Sequence, residues 1–158
     1  MATHHYIVRF FPTAIIRLLF FVFFFVFVSL SAEAQTTVVM PRQAVDTLWV
    51  TSTGCYTIVD PGDDGKYLNN EDSYLYIIAD EPFYLLTDFE LGHNDDGKDW
   101  VHIYYDTVDW YGYDYLGGVG QRLTYIWSNR ALVHFHSNAY NTFDGFSMQL
   151  LHQSSLYN

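Results

Sequence analysis

The sequence predicts an all-β domain built as a two-sheet sandwich, and three features carry that prediction. After Gln35 no segment keeps its apolar residues at a 3.6-residue period, so an amphipathic helix is not expected. Two-residue alternation of apolar and polar side chains recurs throughout, which is the period of a half-buried strand. The alternating segments are short and are separated by turns rich in Gly, Asn and Asp, as in a sandwich.

Eight or nine strands are expected. Residues 46–51 follow a short polar segment that contains Pro41, and they place Leu48 and Val50 on one face. The other predicted strands are 55–59, 73–79, 83–89, 100–105, 123–127, 131–136 and 146–151, with an aromatic hairpin at 106–115 and a turn at 116–120. These strands occupy the chain from residue 46 to residue 151, so no second domain is expected.

The first 34 residues are predicted to form a signal peptide. Arg9 and Arg17 precede an apolar run at 18–30, and Ala32-Glu33-Ala34 fits the small-residue rule for signal peptidase. Cleavage is expected after Ala34, which would place the mature chain outside the cell, at the cell surface or in the periplasm, without a membrane span. An uncleaved anchor is the alternative, but the run is shorter than the roughly 20 residues that span a bilayer.

The chain is strongly acidic. Its net charge is −11, and removal of Arg9, Arg17 and Glu33 with the leader would change this to −12. Such a charge disfavours nucleic acid and anionic lipid surfaces as partners, and leaves cations, basic proteins and neutral sugars. Cys55 is the only cysteine, so no intramolecular disulfide can form, and it is expected to be a small buried residue.

Five motifs follow one another between Cys55 and Leu151. They are the turn at 60–70 (DPGDDGKYLNN), Phe89 before an acidic loop, the strand at 99–104 (DWVHIY), Leu116-Gly117, and the closing segment at 126–138 followed by Gly145-Phe146. In this order they resemble the CUB domain family in its cysteine-poor bacterial form.

The resemblance implies a fold, a domain division and a function. The fold is a jelly-roll-like sandwich of two antiparallel sheets at 55–153. A segment with the first strand would precede it at 35–54, and a tail would follow at 154–158. The implied function is recognition of an extracellular protein or carbohydrate.

The acidic loop between Phe89 and Asp99 is a candidate calcium site, because hard cations bind six to eight oxygen ligands. In calcium-binding CUB domains the resemblance implies three ligands: a Glu after a Phe-x-x motif, the Asp that opens the next strand, and an Asp before Gly-Phe. Asp99 matches the second position, whereas Gly92 and Asn138 occupy the other two. The expected oxygen ligands are Asp99, Asn138, Asp95, Asp96 and Asn141. A solvated turn without calcium is the alternative.

Two further groups could bind a ligand. Trp110, Tyr111, Tyr113 and Tyr115 surround Asp114, a composition suited to stacking on sugar rings while the carboxylate accepts hydroxyl hydrogen bonds; the alternative is packing over a hairpin. His134 and His136 lie on one face of a strand and could hold zinc if His102 supplied a third ligand. Solvated histidines are the alternative.

The sequence contains none of three common catalytic motifs. The sequence has no Gly-x-Ser-x-Gly elbow, no His-Glu-x-x-His helix and no glycine-rich phosphate loop. The predicted function is therefore a binding or adhesion module. The alternatives are a structural subunit of a cell-surface assembly and, more distantly, a sugar hydrolase.

Overall fold

A computed structural model describes residues 35–63, 65–94, 97–105 and 113–154. These residues form twelve strands and no long helix, which confirms the predicted fold class. The strands are β1 (Gln35–Val39), β2 (Val45–Val50), β3 (Cys55–Val59), β4 (Asp72–Ala79), β5 (Phe83–Glu90), β6 (His93–Asn94), β7 (Gly97–Lys98), β8 (Trp100–Tyr104), β9 (Tyr113–Leu116), β10 (Val119–Ile126), β11 (Arg130–His136) and β12 (Gly145–His152).

Ten of the strands form two five-stranded sheets. One has the order β1-β3-β12-β5-β10 and the other β2-β4-β11-β8-β9, while β6 and β7 pair in a small ribbon within the acidic loop. The pairs in the large sheets are antiparallel except β1 with β3 and β2 with β4, which are parallel. Because β1 to β4 alternate between the two sheets, each parallel pair joins strands two apart in the chain.

The core lies between the sheets and follows the two-residue alternation of the strands. On β11, Val133 and Phe135 are fully buried, as the alternation predicts. The ring of Phe135 contacts Tyr67 at 5.2 Å and Phe146 at 5.5 Å between centroids. Other fully buried side chains are Ile58, Ile77, Phe83, Leu85, Val101, Ile103, Ile126 and Met148. Burial of this apolar surface is the main source of stability in a chain without a disulfide.

Three segments differ from the sequence-based expectation. Strand β1 occupies residues expected to form a polar segment, because an edge strand with Gln35 and two threonines shows no apolar alternation. Strand β10 starts at Val119, inside the expected turn, because its first five residues include Gly120, Gln121 and Arg122 and are all exposed, so they show no two-residue alternation. The aromatic hairpin is described only at its end, β9; its residues 106–112 lie outside the described residues.

Cys55 is exposed, which corrects the expectation that it is buried. Ile58 on the same strand is fully buried and points into the core. Because successive side chains of a strand point to opposite sides, a residue three positions from Ile58 points outward.

The predicted leader at residues 1–34 lies outside the described residues, so its cleavage remains a prediction. Within the part that the structure describes, no helix is long and apolar enough to cross a membrane.

Gly145 has a backbone conformation that only glycine adopts readily. Its φ is +83°, and a Cβ atom there would lie 2.0 Å from Oδ2 of Asp60. The buried Asp60 carboxylate accepts hydrogen bonds from the amides of Gly62 (2.7 Å) and Phe146 (3.1 Å), so it ties the turn after β3 to the start of β12.

We expect Gly145→Ala to lower the free energy of unfolding by more than about 1–2 kcal/mol, the cost of a left-handed conformation for a residue with a Cβ. The clash with Asp60 adds to that cost. Gly65→Ala is the matched control, because its Cβ would meet only one atom, at 3.6 Å, and its φ is not left-handed. Urea denaturation measures the free energy of unfolding of both variants. Equal losses of this free energy would contradict the requirement for glycine at residue 145.

Candidate functional site

The carboxylate of Asp99 joins three separate segments at one end of the sandwich. Asp99 is fully buried. Its Oδ2 accepts a hydrogen bond from the Tyr67 hydroxyl at 2.5 Å, and its Oδ1 accepts one from the amide of Asn138 at 2.7 Å. The same hydroxyl accepts a bond from the amide of Gly92 at 3.1 Å. The turn before β4, the loop after β5 and the loop after β11 are therefore held together by one buried group.

Burial and the adjacent Asp99 carboxylate raise the pKa of Tyr67 above its ordinary value of 10.0. The phenol therefore keeps its proton and acts as the donor to Asp99. A hydrogen bond to a buried charged group is stronger than one between neutral groups, because the interior screens it less than water does.

The Asp99 network leaves no room for a side chain at Gly92. A Cβ atom at this position would lie 2.5 Å from Oδ2 of Asp99 and 3.1 Å from the ring of Phe143. A side chain at Gly92, such as the Glu that the CUB resemblance implies, would displace the Tyr67–Asp99 contact.

The described oxygens of the calcium site that the resemblance implies already accept hydrogen bonds within the protein. Both oxygens of Asp99 accept protein hydrogen bonds, and Oδ1 of Asn138 accepts one from the amide of Tyr140 at 2.6 Å. Within the described residues, no group of three or more His, Cys, Asp or Glu side chains is arranged to hold a metal. Asn141 is exposed and has a φ of 49°. Asp95 and Asp96 lie outside the described residues, so calcium binding remains a prediction.

A second feature is a band of rings on the outer surface of the sheet β2-β4-β11-β8-β9. We call this band the ring face. It consists of Trp49 of β2, Tyr74 and Tyr76 of β4, Trp100, His102 and Tyr104 of β8, Tyr113 and Tyr115 of β9, and His134 and His136 of β11. These positions alternate with the core residues of the same strands, so their side chains point away from the core.

The rings contact one another from β4 across β11 and β8 to β9. Tyr74 stacks on His134 with centroids 4.0 Å apart, and His134 meets the edge of Trp100 at 4.6 Å. Trp100 stacks on His102 at 4.0 Å. His102 then contacts Tyr113 at 4.9 Å. Strand pairing creates this order, because it places His134 opposite both Tyr74 and His102.

The histidines of the ring face are bound to neighbours and do not converge on a metal. Nε2 of His134 lies 2.6 Å from Oδ1 of Asp72, and Nδ1 of His136 lies 3.7 Å from the same oxygen. Nδ1 of His102 lies 3.0 Å from the Tyr104 hydroxyl, and its ring centroid is 6.5 Å from that of His134. The zinc interpretation finds no support in this arrangement.

The ring face carries almost no formal charge. On the outward positions of its five strands, Asp72 is the acidic residue and Arg130 the basic one. Their charges cancel, in a chain whose net charge is −11. The remaining acidic residues are therefore elsewhere in the chain.

The predicted aromatic ligand site is only partly described. Tyr113 and Tyr115 are about half exposed and belong to the ring face, whereas Trp110 and Tyr111 lie outside the described residues. Asp114 points to the other side of β9. It pairs with Arg122 at 3.0 Å and accepts a bond from Thr124 at 2.5 Å, which joins β9 to β10 at the side of the sandwich.

Sequence reasoning missed five members of the ring face: Trp49, Tyr74, Tyr76, Trp100 and Tyr104. All five lie in predicted strands and alternate there with residues that face the core, so they occupy positions where solvent-facing polar residues are expected. The register that brings them beside the histidines could not be inferred from one strand alone.

We expect Tyr67→Phe to lower the free energy of unfolding by about 2 kcal/mol, because it leaves a buried carboxylate oxygen without its donor. Tyr125→Phe is the matched control, since its hydroxyl makes a long, exposed hydrogen bond to Gln153. Urea denaturation measures the difference between the two variants. A Tyr67→Phe protein as stable as Tyr125→Phe would show that the Asp99 network contributes little.

A second prediction concerns pH. Burial and the neighbouring His134 lower the pKa of His102 below its ordinary value of 6.5; Trp100, Tyr104, Tyr113 and Tyr115 are its other ring contacts. Since the folded pKa is below the unfolded one, the associated stability is present above about pH 6.5 and is lost as the pH falls through the folded pKa.

Titration of the imidazole proton resonances should therefore give a His102 midpoint below 6.5. The His102→Gln protein should also lose less unfolding free energy than the wild type between pH 7 and pH 5. A midpoint at or above 6.5, or equal losses in the two proteins, would contradict the burial of this imidazole.

No family model and no curated protein matches the sequence. Solved structures do match, and two of them are described here. The CUB1-EGF-CUB2 domains of rat MASP-1 give a TM-score of 0.54 at 16% identity, over 68% of this chain and 42% of that one. The CUB1-EGF-CUB2 domain of human MASP-1/3 gives 0.51 at 16% identity, over 72% and 43%.

This chain therefore spans less than half the length of each of those structures. At 16% identity the match establishes the fold and nothing about ligands. The motifs from Asp60 to Phe146 and the sandwich they form agree with it. The chain has the fold of a CUB domain.

Proposed function

We propose that this chain is exported, with loss of residues 1–34, and that it is a non-catalytic module that binds an extracellular protein or carbohydrate through the ring face. One observation carries the proposal. Contacting rings extend across four neighbouring strands on the side of a sheet that points away from the core. Contiguous apolar surface of this kind on a soluble domain marks interaction sites.

The exposure of the ring face supports binding over a purely structural role. Trp49 is 70% exposed, and Tyr113 and Tyr115 are 49% and 48% exposed. Rings that stay half exposed contribute little burial to folding, whereas tryptophan and tyrosine contribute strongly when a partner covers them. The rim of the ring face is therefore available to a ligand.

The charge of the ring face is compatible with an uncharged partner. The ring face is formally neutral, so a partner that lies on it need not carry charge, and neutral glycans fit as well as proteins. The CUB fold agrees with this proposal, because the resemblance implies extracellular recognition. Calcium would act, if bound, at the Asp99 end of the sandwich, and the ring face needs no cation for its own contacts.

A second function, a structural subunit of a surface assembly, is favoured by β10. This strand has eight residues and pairs with β5 at the edge of its sheet, and Val119 and Leu123 on it are 78% and 55% exposed. An exposed edge of this length can pair with a strand of another molecule. A monomer at high concentration by light scattering would count against the assembly.

The ring face can be tested with two matched double variants. Trp49→Ala with Tyr113→Ala removes its most exposed rings. Trp127→Ala with Tyr125→Ala removes rings of the same types that are 54% and 41% exposed and that belong to β10 or follow it. We expect the first protein to bind at least tenfold more weakly than the wild type, and the second to differ less than twofold.

Binding is measured by interferometry of the purified proteins against a panel of secreted proteins and neutral polysaccharides, after their melting temperatures have been matched. Equal effects of the two double variants would reject the ring face as the binding surface. If the wild type binds no member of either class, the binding function itself is rejected.

A further inference from the structure

A cavity of about 420 Å³ opens beside the ring face, where the segment before β2 passes the turn before β4. Its lining residues are Gln43, Ala44, Val45, Asn70, Asp72 and Tyr74. The volume falls within the roughly 300–1,000 Å³ of small-molecule pockets, near the lower end. Of these residues, Asn70 is linked to the Asp99 network, because its backbone amide donates to the backbone oxygen of Asn138.

The lining combines two amides, one carboxylate and one aromatic ring. Gln43 and Asn70 each offer both donors and acceptors, and Asp72 offers acceptors only. Nε2 of Gln43 donates to the backbone oxygen of Asn70 at 3.2 Å, which fixes the amide and leaves its Oε1 as an acceptor. Tyr74 supplies an apolar ring wall, and its hydroxyl lies 3.5 Å from Oδ2 of Asp72.

Gln43 and Asn70 both have an uncommon backbone conformation. Gln43 and Asn70 have φ values of 46° and 60°, in the left-handed region that residues with a Cβ rarely adopt. Hydrogen bonds to neighbouring residues stabilise this conformation. The backbone amide of Gln43 donates to Oγ of Ser73 at 3.3 Å, and the backbone amide of Asn70 donates to the backbone oxygen of Asn138 at 2.8 Å. Such conformations concentrate at ligand sites, where the surrounding structure maintains them.

The pocket is continuous with the ring face through Asp72 and Tyr74. Asp72 pairs with His134, and Tyr74 stacks on the same imidazole. An anionic ligand would meet the Asp72 carboxylate, which disfavours phosphates and uronic acids. The amide and carboxylate groups suit several neighbouring hydroxyls, and the ring suits an apolar sugar face.

We propose that this pocket binds one neutral sugar residue, with Gln43, Asn70 and Asp72 as hydrogen-bonding groups and Tyr74 as the ring against which the sugar packs. This inference rests on the proposed binding function and extends it, since the pocket would hold one residue of a chain that continues over the ring face. A longer oligosaccharide would then contact both surfaces and bind more tightly than its single residues.

The test is saturation-transfer NMR with four neutral probes: methyl α-mannopyranoside, methyl β-glucopyranoside, methyl β-galactopyranoside and methyl N-acetyl-β-glucosaminide. We expect at least one to receive saturation from the wild-type protein at millimolar concentration. Gln43→Ala should weaken its binding about tenfold, the effect of losing one or two hydrogen bonds. Asp72→Asn should weaken it as well, without changing the shape of the pocket.

Gln121→Ala is the matched control, because it removes an exposed amide from β10, on the other sheet, where the amide bonds to Asp88. Loss of saturation in Gln43→Ala and Asp72→Asn, but not in Gln121→Ala, at matched melting temperatures would support the pocket. No saturation of any probe, or equal saturation in all proteins, would overturn it. Ring-face binding that persists in Gln43→Ala without any sugar signal would overturn the pocket and leave the proposed function intact.

Discussion

The buried carboxylate of Asp99 is the constraint on which one end of this sandwich depends. A buried charge is costly unless hydrogen bonds compensate it, and here Tyr67 and the amide of Asn138 do so. The same bonds draw together two loops and a turn that are separated by 32 to 39 residues in the chain. Gly92 completes the arrangement by lacking a side chain. In the part of this end that the structure describes, these hydrogen bonds join the two loops and the turn.

That end connects directly to the surface proposed for binding. Trp100 follows Asp99 at the start of β8, and Asn138 follows β11 by two residues, so the network fixes the strands that carry Trp100, His134 and His136. The amide of Asn70, which lines the sugar pocket, also bonds to the backbone of Asn138. The position of the ring face and the shape of the pocket thus depend on the same few hydrogen bonds.

The sequence predicted the strands whose side chains alternate and missed the features that depend on pairing. Strand β3 was placed without error, because Ile58 and its neighbours show a clear two-residue period. Strand β1 was missed, because an edge strand need not be apolar on either face. The absence of a side chain at Gly92 could be seen in the sequence, but Tyr67 as the partner of Asp99 could not, since 32 residues separate them. The ring face could be recognised only from the register in which four strands pair.

Amide hydrogen exchange at Gly92 and Asn138 tests most directly whether protein hydrogen bonds hold this end closed. The amide of Gly92 donates to the Tyr67 hydroxyl and that of Asn138 to Asp99. Both amides should be protected from exchange in a calcium chelator, and both should lose protection in Tyr67→Phe. Fast exchange of the wild-type amides in chelator, with protection only after calcium is added, would contradict the account and would show that a cation closes the loops.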